Sequence, residues 1–194
     1  MLKQVVDNAV SKGLTFAICL LPGEQRARYF ISGNGHHGES SATDSFVISP
    51  WLAQWHNRIT IEREVTPDTF AEFAAATPGI CTPPATTTQV PQITRDEYLA
   101  AVSRVIESCR QRQGKTVFSR AISSNTADGT TAGTIFDDLC REFPQTFRFI
   151  FHTPETGLWL GATPELLLDY DATSRRCRVM SLAGTRPRTE GDTP

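Results

Sequence analysis

Three short segments in the second half of the chain carry residue types suited to acid–base chemistry. Lys115 precedes an apolar run, Glu165 follows a Thr-Pro turn, and residues 183–185 read Ala-Gly-Thr. Each segment stands where a predicted strand meets a polar or glycine-containing turn. Because strand pairing brings distant positions of a chain together, the three segments can line one pocket.

Each segment also has a purely structural interpretation. A lysine before a strand is commonly a solvated strand end, and a glutamate after proline is commonly a turn or cap residue. The Ala-Gly-Thr sequence is typical of a tight bend that needs the backbone freedom of Gly184. Arg186 and Arg188 beyond it are interpreted as surface charges. The functional interpretation therefore depends on the three segments taken together.

The order and spacing of these segments resemble those of the chorismate-utilising enzymes, a family that includes isochorismate, salicylate, anthranilate and aminodeoxychorismate synthases. The resemblance lies in residues 94–188 and is greatest to the isochorismate synthases of menaquinone type. It implies an α+β fold like that of anthranilate synthase component I, with helices packed outside a largely antiparallel sheet. It also implies chorismate as the small-molecule substrate, in a menaquinone or siderophore pathway.

The resemblance implies a role for each segment. The family activates a nucleophile for attack on C2 of chorismate while the C4 hydroxyl leaves, which requires a base and an acid on opposite sides of the ring. Lys115 stands at the position of the general base and Glu165 at that of the general acid. By the same resemblance, Ala183, Gly184 and Thr185 line the substrate site.

Two of these positions distinguish the branches of the family. Anthranilate synthases carry glutamine where this chain has Lys115, since ammonia needs no such base. Aminodeoxychorismate synthases use a lysine as a covalent nucleophile where this chain has Ala183. The combination found here favours water as the nucleophile, and hence an isochorismate or a salicylate synthase. The chain can also be a truncated, non-catalytic relative that serves as a folding or interaction module.

The two proposed proton-transfer groups need environments that change their pKa in opposite directions. A free lysine has a pKa of about 10.4, so a base at Lys115 requires desolvation or a nearby positive charge. A free glutamate has a pKa of about 4.3, so an acid at Glu165 requires burial or a nearby substrate carboxylate. Both requirements predict a closed, apolar-walled pocket. The apolar neighbours in sequence that fit such a wall are Val117, Phe118, Leu166 and Leu167.

Composition excludes several other classes of function. The 194 residues are 39% hydrophobic and 21% charged, with a formal net charge of −2 and a pI near 6.1. A polyanionic partner such as nucleic acid is not indicated. The apolar run at 14–21 is too short to span a bilayer, and the first residues do not form a signal peptide. We therefore predict a cytoplasmic protein that does not bind membranes.

The cysteines and histidines do not indicate a metal site. The 5 cysteines are odd in number and lack any C-x-x-C pair, which is typical of free thiols in a reducing compartment. The 4 histidines include His36 and His37 in a glycine-rich loop predicted as an exposed turn, while His56 and His152 have no ligand partner at metal spacing.

Hydrophobic periodicity and turn residues predict an α+β protein in which helices cover a largely antiparallel sheet. The best helix begins at Thr94, where Thr94 and Glu97 have the spacing of a capping box, and ends at Gly114. Tyr98, Val102 and Ile106 belong to the apolar stripe that we expect this helix to bury. The other predicted helices are 1–12, 69–75 and 134–143, and the predicted strands are 14–21, 27–32, 45–49, 58–64, 116–123, 147–152, 158–161, 165–170 and 176–182.

A change of composition divides the chain. Residues 66–91 are rich in Thr, Pro and Ala, which predicts a short helix followed by an extended linker. We therefore predict two regions: a β-rich N-terminal region with its linker at 1–90, and the first part of the chorismate-binding catalytic domain at 91–194.

The resemblance implies that further segments belong to the complete enzyme. Family members are about twice as long and bind Mg²⁺ through glutamates that follow the Ala-Gly-Thr segment, so the magnesium ligands are expected beyond Pro194. Glu190 and Asp192 do not match that motif. The expectation is that the chain is an N-terminal fragment or a truncated product of an isochorismate synthase gene.

A partial sheet leaves an unpaired edge and exposed apolar surface, so we predict that the 194-residue chain self-associates. Sedimentation velocity across a concentration series tests this, with oligomers growing as concentration rises. A monomer at every concentration, with a sharp cooperative melt, would contradict it.

Overall fold

The computed structural model describes residues 2–32, 44–49, 58–79, 92–112 and 114–181. The chain forms two compact units. The main unit comprises Met1–Ala85 and Thr131–Pro194, and the small unit comprises Thr86–Thr130.

The described residues form four helices and nine strands. In chain order these are α1 Leu2–Ser11, β1 Phe16–Leu20, β2 Arg28–Ile31, β3 Phe46–Ile48, β4 Ile59–Ile61, β5 Arg63–Val65, α2 Pro67–Ala76, α3 Arg95–Arg112, α4 Ala132–Glu142, β6 Phe147–Thr153, β7 Gly157–Thr163, β8 Asp169–Asp171 and β9 Arg176–Arg178.

The main unit is built on a five-stranded sheet in the order β5-β2-β1-β6-β7, with every neighbouring pair antiparallel. β1 lies at its centre, with Phe16 opposite Ile31 of β2 on one side and His152 of β6 on the other. The predicted α+β class with a largely antiparallel sheet is confirmed. β1 belongs to the region predicted at 1–90 and β6 to the region predicted at 91–194, so this sheet contains strands of both regions. The boundary between the two regions stays a prediction.

Both faces of the sheet are covered. Alternate residues of β1 belong to different cores: Phe16 and Ile18 face the helices, where Phe70 of α2 and Phe136 of α4 are fully buried, and Ala17 faces the other way. The second face is covered by a two-stranded sheet of β3 and β4. All five residues of β1 are therefore buried, which explains its continuous apolar sequence.

Helices α1 and α4 approach each other very closely at Gly133. A Cβ at this position would lie 2.8 Å from Cα of Lys3, well inside van der Waals contact. The Gly133 N–H donates a 2.8 Å hydrogen bond to Oδ1 of Asp7 on α1. The first turn of α4 is thus fixed against α1, and Thr131 caps it by accepting from the Thr134 N–H.

In the small unit, the predicted capping box begins α3. Thr94 Oγ1 accepts from the Glu97 N–H at 3.2 Å, and Glu97 Oε2 accepts from the Thr94 N–H at 2.7 Å. The expected buried face is wrong, however, since α3 has no buried residue among those described and Ile106 is exposed. Its apolar stripe is only partly covered because the small unit provides little surface to pack on it.

The predicted strand at 116–123 is also wrong. Residues 114–127 have neither helical nor strand structure, because no other strand in the described part of the chain forms a ladder with them. The segment is instead held near α3 by aromatic contacts: the rings of Tyr98 and Phe118 are 5.3 Å apart, and the Arg120 guanidinium lies 5.2 Å from the Tyr98 ring.

Three other predicted strands differ in extent. Residues 58–64 form two strands, β4 and β5, which belong to different sheets because the chain leaves β3 and joins β2 after Glu62. The strand predicted at 165–170 is reduced to β8, and the one at 176–182 to β9, which pair with each other as a separate hairpin. Leu167 and Leu168 are exposed instead of lying in a sheet.

The close approach at Gly133 predicts that Gly133→Ala destabilises the fold by about 1–3 kcal/mol, because the added methyl group displaces the Lys3 backbone. Urea unfolding measures the change. Gly79→Ala is the matched control, since its Cβ would lie 3.7 Å from Lys12, an ordinary contact. Equal free energies of unfolding for the two variants would show that α1 and α4 can move apart at Gly133 without loss of stability.

The Arg28–Glu64 pair predicts a pH dependence of stability. Arg28 Nε donates to Glu64 Oε1 at 2.9 Å and Nη2 donates to Oε2 at 2.5 Å, and this hydrogen bonding lowers the pKa of Glu64 below 4.5. A lowered carboxyl pKa stabilises the fold above the unfolded value, and this stabilisation is lost as the pH falls through the folded value. Glu64→Gln should therefore reduce the free energy of unfolding by about 1 kcal/mol at neutral pH.

That difference should decline as the pH falls below 4.5, and it vanishes only below the lowered folded pKa, where the carboxyl is protonated in both states. Urea titrations at pH 7 and pH 3 measure it, with Glu72→Gln, an exposed carboxylate on α2, as the control. A difference that persists unchanged at pH 3 would mean that the pair acts through packing instead of charge.

Candidate functional site

Glu165 lies in the turn directly after β7. The β6–β7 ladder runs from Thr153 opposite Gly157 to Phe147 opposite Thr163, which places the end of β7 beside the start of β6. Thr163 Oγ1 then accepts a 3.1 Å hydrogen bond from the Glu165 N–H. The backbone of Glu165 is thus fixed to the end of the sheet, while its side chain is exposed.

A row of aromatic rings supports β7 on one face. Phe147, Phe149 and Phe151 of β6 stack with centroids 5.8 and 5.9 Å apart, and Trp159 of β7 continues the row at 6.5 Å. Gly161 leaves room for this arrangement, because a Cβ there would lie 3.0 Å from Cζ of Phe149. The ladder and the aromatic row together position the turn that carries Glu165.

Lys115 lies in the small unit, in the segment that follows α3. The Gly114 N–H donates to the Cys109 carbonyl at 3.1 Å, which ends the helix as predicted. The Cys109 Sγ is 3.4 Å from Thr116 Oγ1, so both neighbours of Lys115 in the sequence are tied to the last turns of α3. The Lys115 side chain is exposed.

Comparison with known proteins identifies the family. Residues 52–193, more than half of the chain, match the family model described as chorismate binding enzyme. The chain belongs to this family. The matched residues include Lys115, Glu165 and the segment 183–185.

A known relative agrees with this family assignment. The pyocyanine-specific anthranilate synthase component 1 of Pseudomonas aeruginosa is 40% identical to the chain over 70 residues. The match spans 36% of this chain and 12% of that relative, well under two thirds of its length. No solved structure matches the chain.

The site residues of this chorismate-binding family member are only partly within the described structure. Ala183, Gly184 and Thr185 lie outside the described residues, so their predicted contact with substrate stays a prediction. Lys115 and Glu165 are described in separate units, and their catalytic roles likewise stay predictions.

The apolar side chains expected to wall a pocket around Lys115 and Glu165 are mostly exposed, each within its own unit. Val117 is 86% exposed and Phe118 is also exposed in the small unit, and Leu167 is 85% exposed in the main unit. Leu166 alone among the four predicted wall residues is half-buried. The reason is that segments 114–127 and 164–168 belong to no sheet, so nothing turns their apolar side chains inward.

The described residues do not provide a magnesium site either. Across the described ranges, no group of three or more His, Cys, Asp or Glu side chains is arranged to hold a metal ion. The donor set in the described ranges therefore does not fit Mg²⁺. The described cysteines (Cys19, Cys109, Cys140 and Cys177) are free thiols. No described helix has the length and apolar character required to span a membrane.

Sequence analysis missed one buried charged residue, Arg148. It lies between Phe147 and Phe149 on β6, and only 3% of it is exposed. The alternation of phenylalanine with arginine is the signal that was available, because side chains of a strand alternate between its faces. In a strand covered on both faces, that pattern places the arginine in the interior.

Proposed function

We propose that the protein to which this chain belongs is an isochorismate synthase. The proposal rests on one observation: this chain of the chorismate-binding family has lysine at position 115 and alanine at position 183, that is, Lys115 and Ala183. By the family resemblance, lysine at the first position provides a base for water, and alanine at the second removes the lysine nucleophile of the aminodeoxychorismate synthases.

The proposed reaction is an isomerisation. Lys115, unprotonated, accepts a proton as water attacks C2 of chorismate, forming a C–O bond there. Glu165, protonated, donates a proton as the C–O bond at C4 breaks, so water leaves and the ring double bonds shift. One water is consumed and one released, which leaves composition unchanged. Ala183, Gly184 and Thr185 are proposed to contact the substrate.

Exposure of both side chains sets a condition on this mechanism. Both side chains are exposed, whereas the proposed proton transfers require a lysine and a glutamate that are shielded from water. Substrate binding must therefore remove water from both groups. Mg²⁺ is proposed as the cofactor of the complete enzyme, with its ligands outside the described residues, and the product would enter menaquinone or siderophore synthesis in the cytoplasm.

The match to an anthranilate synthase component supports a second candidate, amine addition to chorismate. Lys115 argues against it, because the resemblance puts glutamine at this position in that branch. A third candidate is salicylate synthase, which adds elimination of pyruvate, and a fourth is a non-catalytic module. Product identity separates all four.

The decisive experiment incubates the complete protein with chorismate and Mg²⁺, with and without ammonium, and separates the products by liquid chromatography. Isochorismate in both mixtures supports the proposal. Salicylate or anthranilate would assign the protein to another branch. No product under either condition would favour the non-catalytic module.

We predict that Lys115→Ala and Glu165→Ala each lower the rate of isochorismate formation by about 10²–10⁴-fold, because each removes one proton-transfer group. Arg110→Ala and Glu155→Ala are the matched controls, since they remove an exposed charge of the same sign elsewhere. Melting curves should be alike for all four. Wild-type rates in the Lys115 and Glu165 variants would remove both residues from the mechanism.

A further inference from the structure

Arg148 occupies a position where a strand ordinarily carries an apolar residue. It is paired in register with Leu20 of β1, and Leu20 belongs to the core under the helices. Neighbours in register point to the same face of a sheet, so Arg148 also faces the helices, beneath the C-terminal half of α4. Its side chain ends in a guanidinium group, which is a cation with five N–H donors.

The protein partners of Arg148 are neutral. Its Nη2 donates to the carbonyl oxygens of Leu21 at 2.6 Å and Glu24 at 2.9 Å, both in the turn between β1 and β2. Its Nε is buried and has no hydrogen-bond partner among the described residues. None of the ion pairs in the described ranges includes Arg148. A buried cation without a counter-charge is strongly unfavourable, so the arrangement is incomplete without an anion.

Arg148 lines a cleft of about 450 Å³ between the β1–β2 turn and the end of α4. Gly23, Gln145 and Cys140 are among the other residues that line it. The Gly23 N–H donates to the Pro144 carbonyl at 3.0 Å, which ties the two sides of the cleft together. Gly23 has φ +77°, a conformation that favours glycine, so the shape of this wall depends on a residue without a side chain.

The other charges at the cleft do not neutralise Arg148. Asp137 lies 3.3 Å from Lys3, and Arg141 lies 2.5 Å from Asp138, so each already has a partner. Glu24 also lines the cleft but is exposed, and no ion pair in the described ranges joins its carboxylate to Arg148. The guanidinium of Arg148 is therefore a desolvated charge without a compensating anion. Guanidinium groups form paired hydrogen bonds with the oxygen atoms of carboxylates and phosphates.

We propose that this cleft binds a small oxyanion, a carboxylate or a phosphate, through Arg148. The site lies on the helix-covered face of the sheet and involves neither Lys115 nor Glu165, so it does not depend on the proposed reaction. Arg148 supplies the charge, and the turn and the end of α4 enclose the ligand.

Alkylation of Cys140 tests the proposal in the unmodified protein. Cys140 lines the cleft and is half-buried, whereas Cys177 is exposed elsewhere and is the internal reference. Both rates are followed by peptide mass spectrometry with iodoacetamide, at constant ionic strength in chloride, while inorganic phosphate or benzoate replaces chloride. Burial raises the pKa of the Cys140 thiol, and the Arg148 charge partly offsets that rise, so a bound anion both blocks access to the thiol and cancels this offset.

The expected result is saturable protection of Cys140, reaching about tenfold when the anion is at ten times its dissociation constant, with no change at Cys177. Protection by phosphate alone identifies a phosphate ligand, and protection by benzoate alone identifies a carboxylate. Absence of saturable protection by either anion, or equal slowing of both cysteines, would overturn the proposal.

A variant tests whether Arg148 is the ligand. Arg148→Lys keeps the charge and removes the planar donor fork, so the dissociation constant should rise about tenfold or more. Arg176→Lys makes the same change at an exposed arginine outside the cleft. In this variant the anions should protect Cys140 as they do in the wild type. Equal protection in both variants would also overturn the proposal. The wild-type comparison of the two cysteines remains decisive if Arg148→Lys does not fold.

Discussion

The double pairing of β1 is the constraint on which the rest of the structure depends. This strand pairs with β2, its neighbour in sequence, and with β6, more than a hundred residues away, and all five of its residues are buried. Burial on both faces requires covering layers, which α1, α2 and α4 provide on one side and the β3–β4 pair on the other. Without β6, β1 would be an edge strand and the helices would lose much of the surface they cover.

The position of Glu165 follows from the same pairing. β6 is placed by β1, β7 is placed by β6, and the Thr163 hydroxyl connects the end of β7 to the Glu165 backbone. The aromatic row on β6 and β7 fixes the register further, because Gly161 is the position at which Phe149 fits. The exposed carboxylate of Glu165 is thus held on a backbone that the sheet fixes in place.

Lys115 is positioned by different and more local forces. The capping box starts α3, the Cys109 carbonyl ends it, and the contacts among Tyr98, Phe118 and Arg120 hold the following segment near the helix. These interactions join residues within the segment 94–120, and they lie at the surface. The two proposed catalytic residues therefore differ in their support, one on a long-range sheet and the other on a helix end with its adjoining loop.

The sequence by itself determined most of the local elements and the family. Period-2 and helical patterns and the Thr94 capping box are readable because their partners lie within a few residues. The Lys115 and Glu165 segments pointed to the family that the comparison identified. The tertiary structure alone decided that 58–64 divides between two sheets, that 116–123 forms no strand and that Arg148 is buried beside a cleft. Strand pairing and burial depend on which distant surfaces meet, and local patterns do not carry that information.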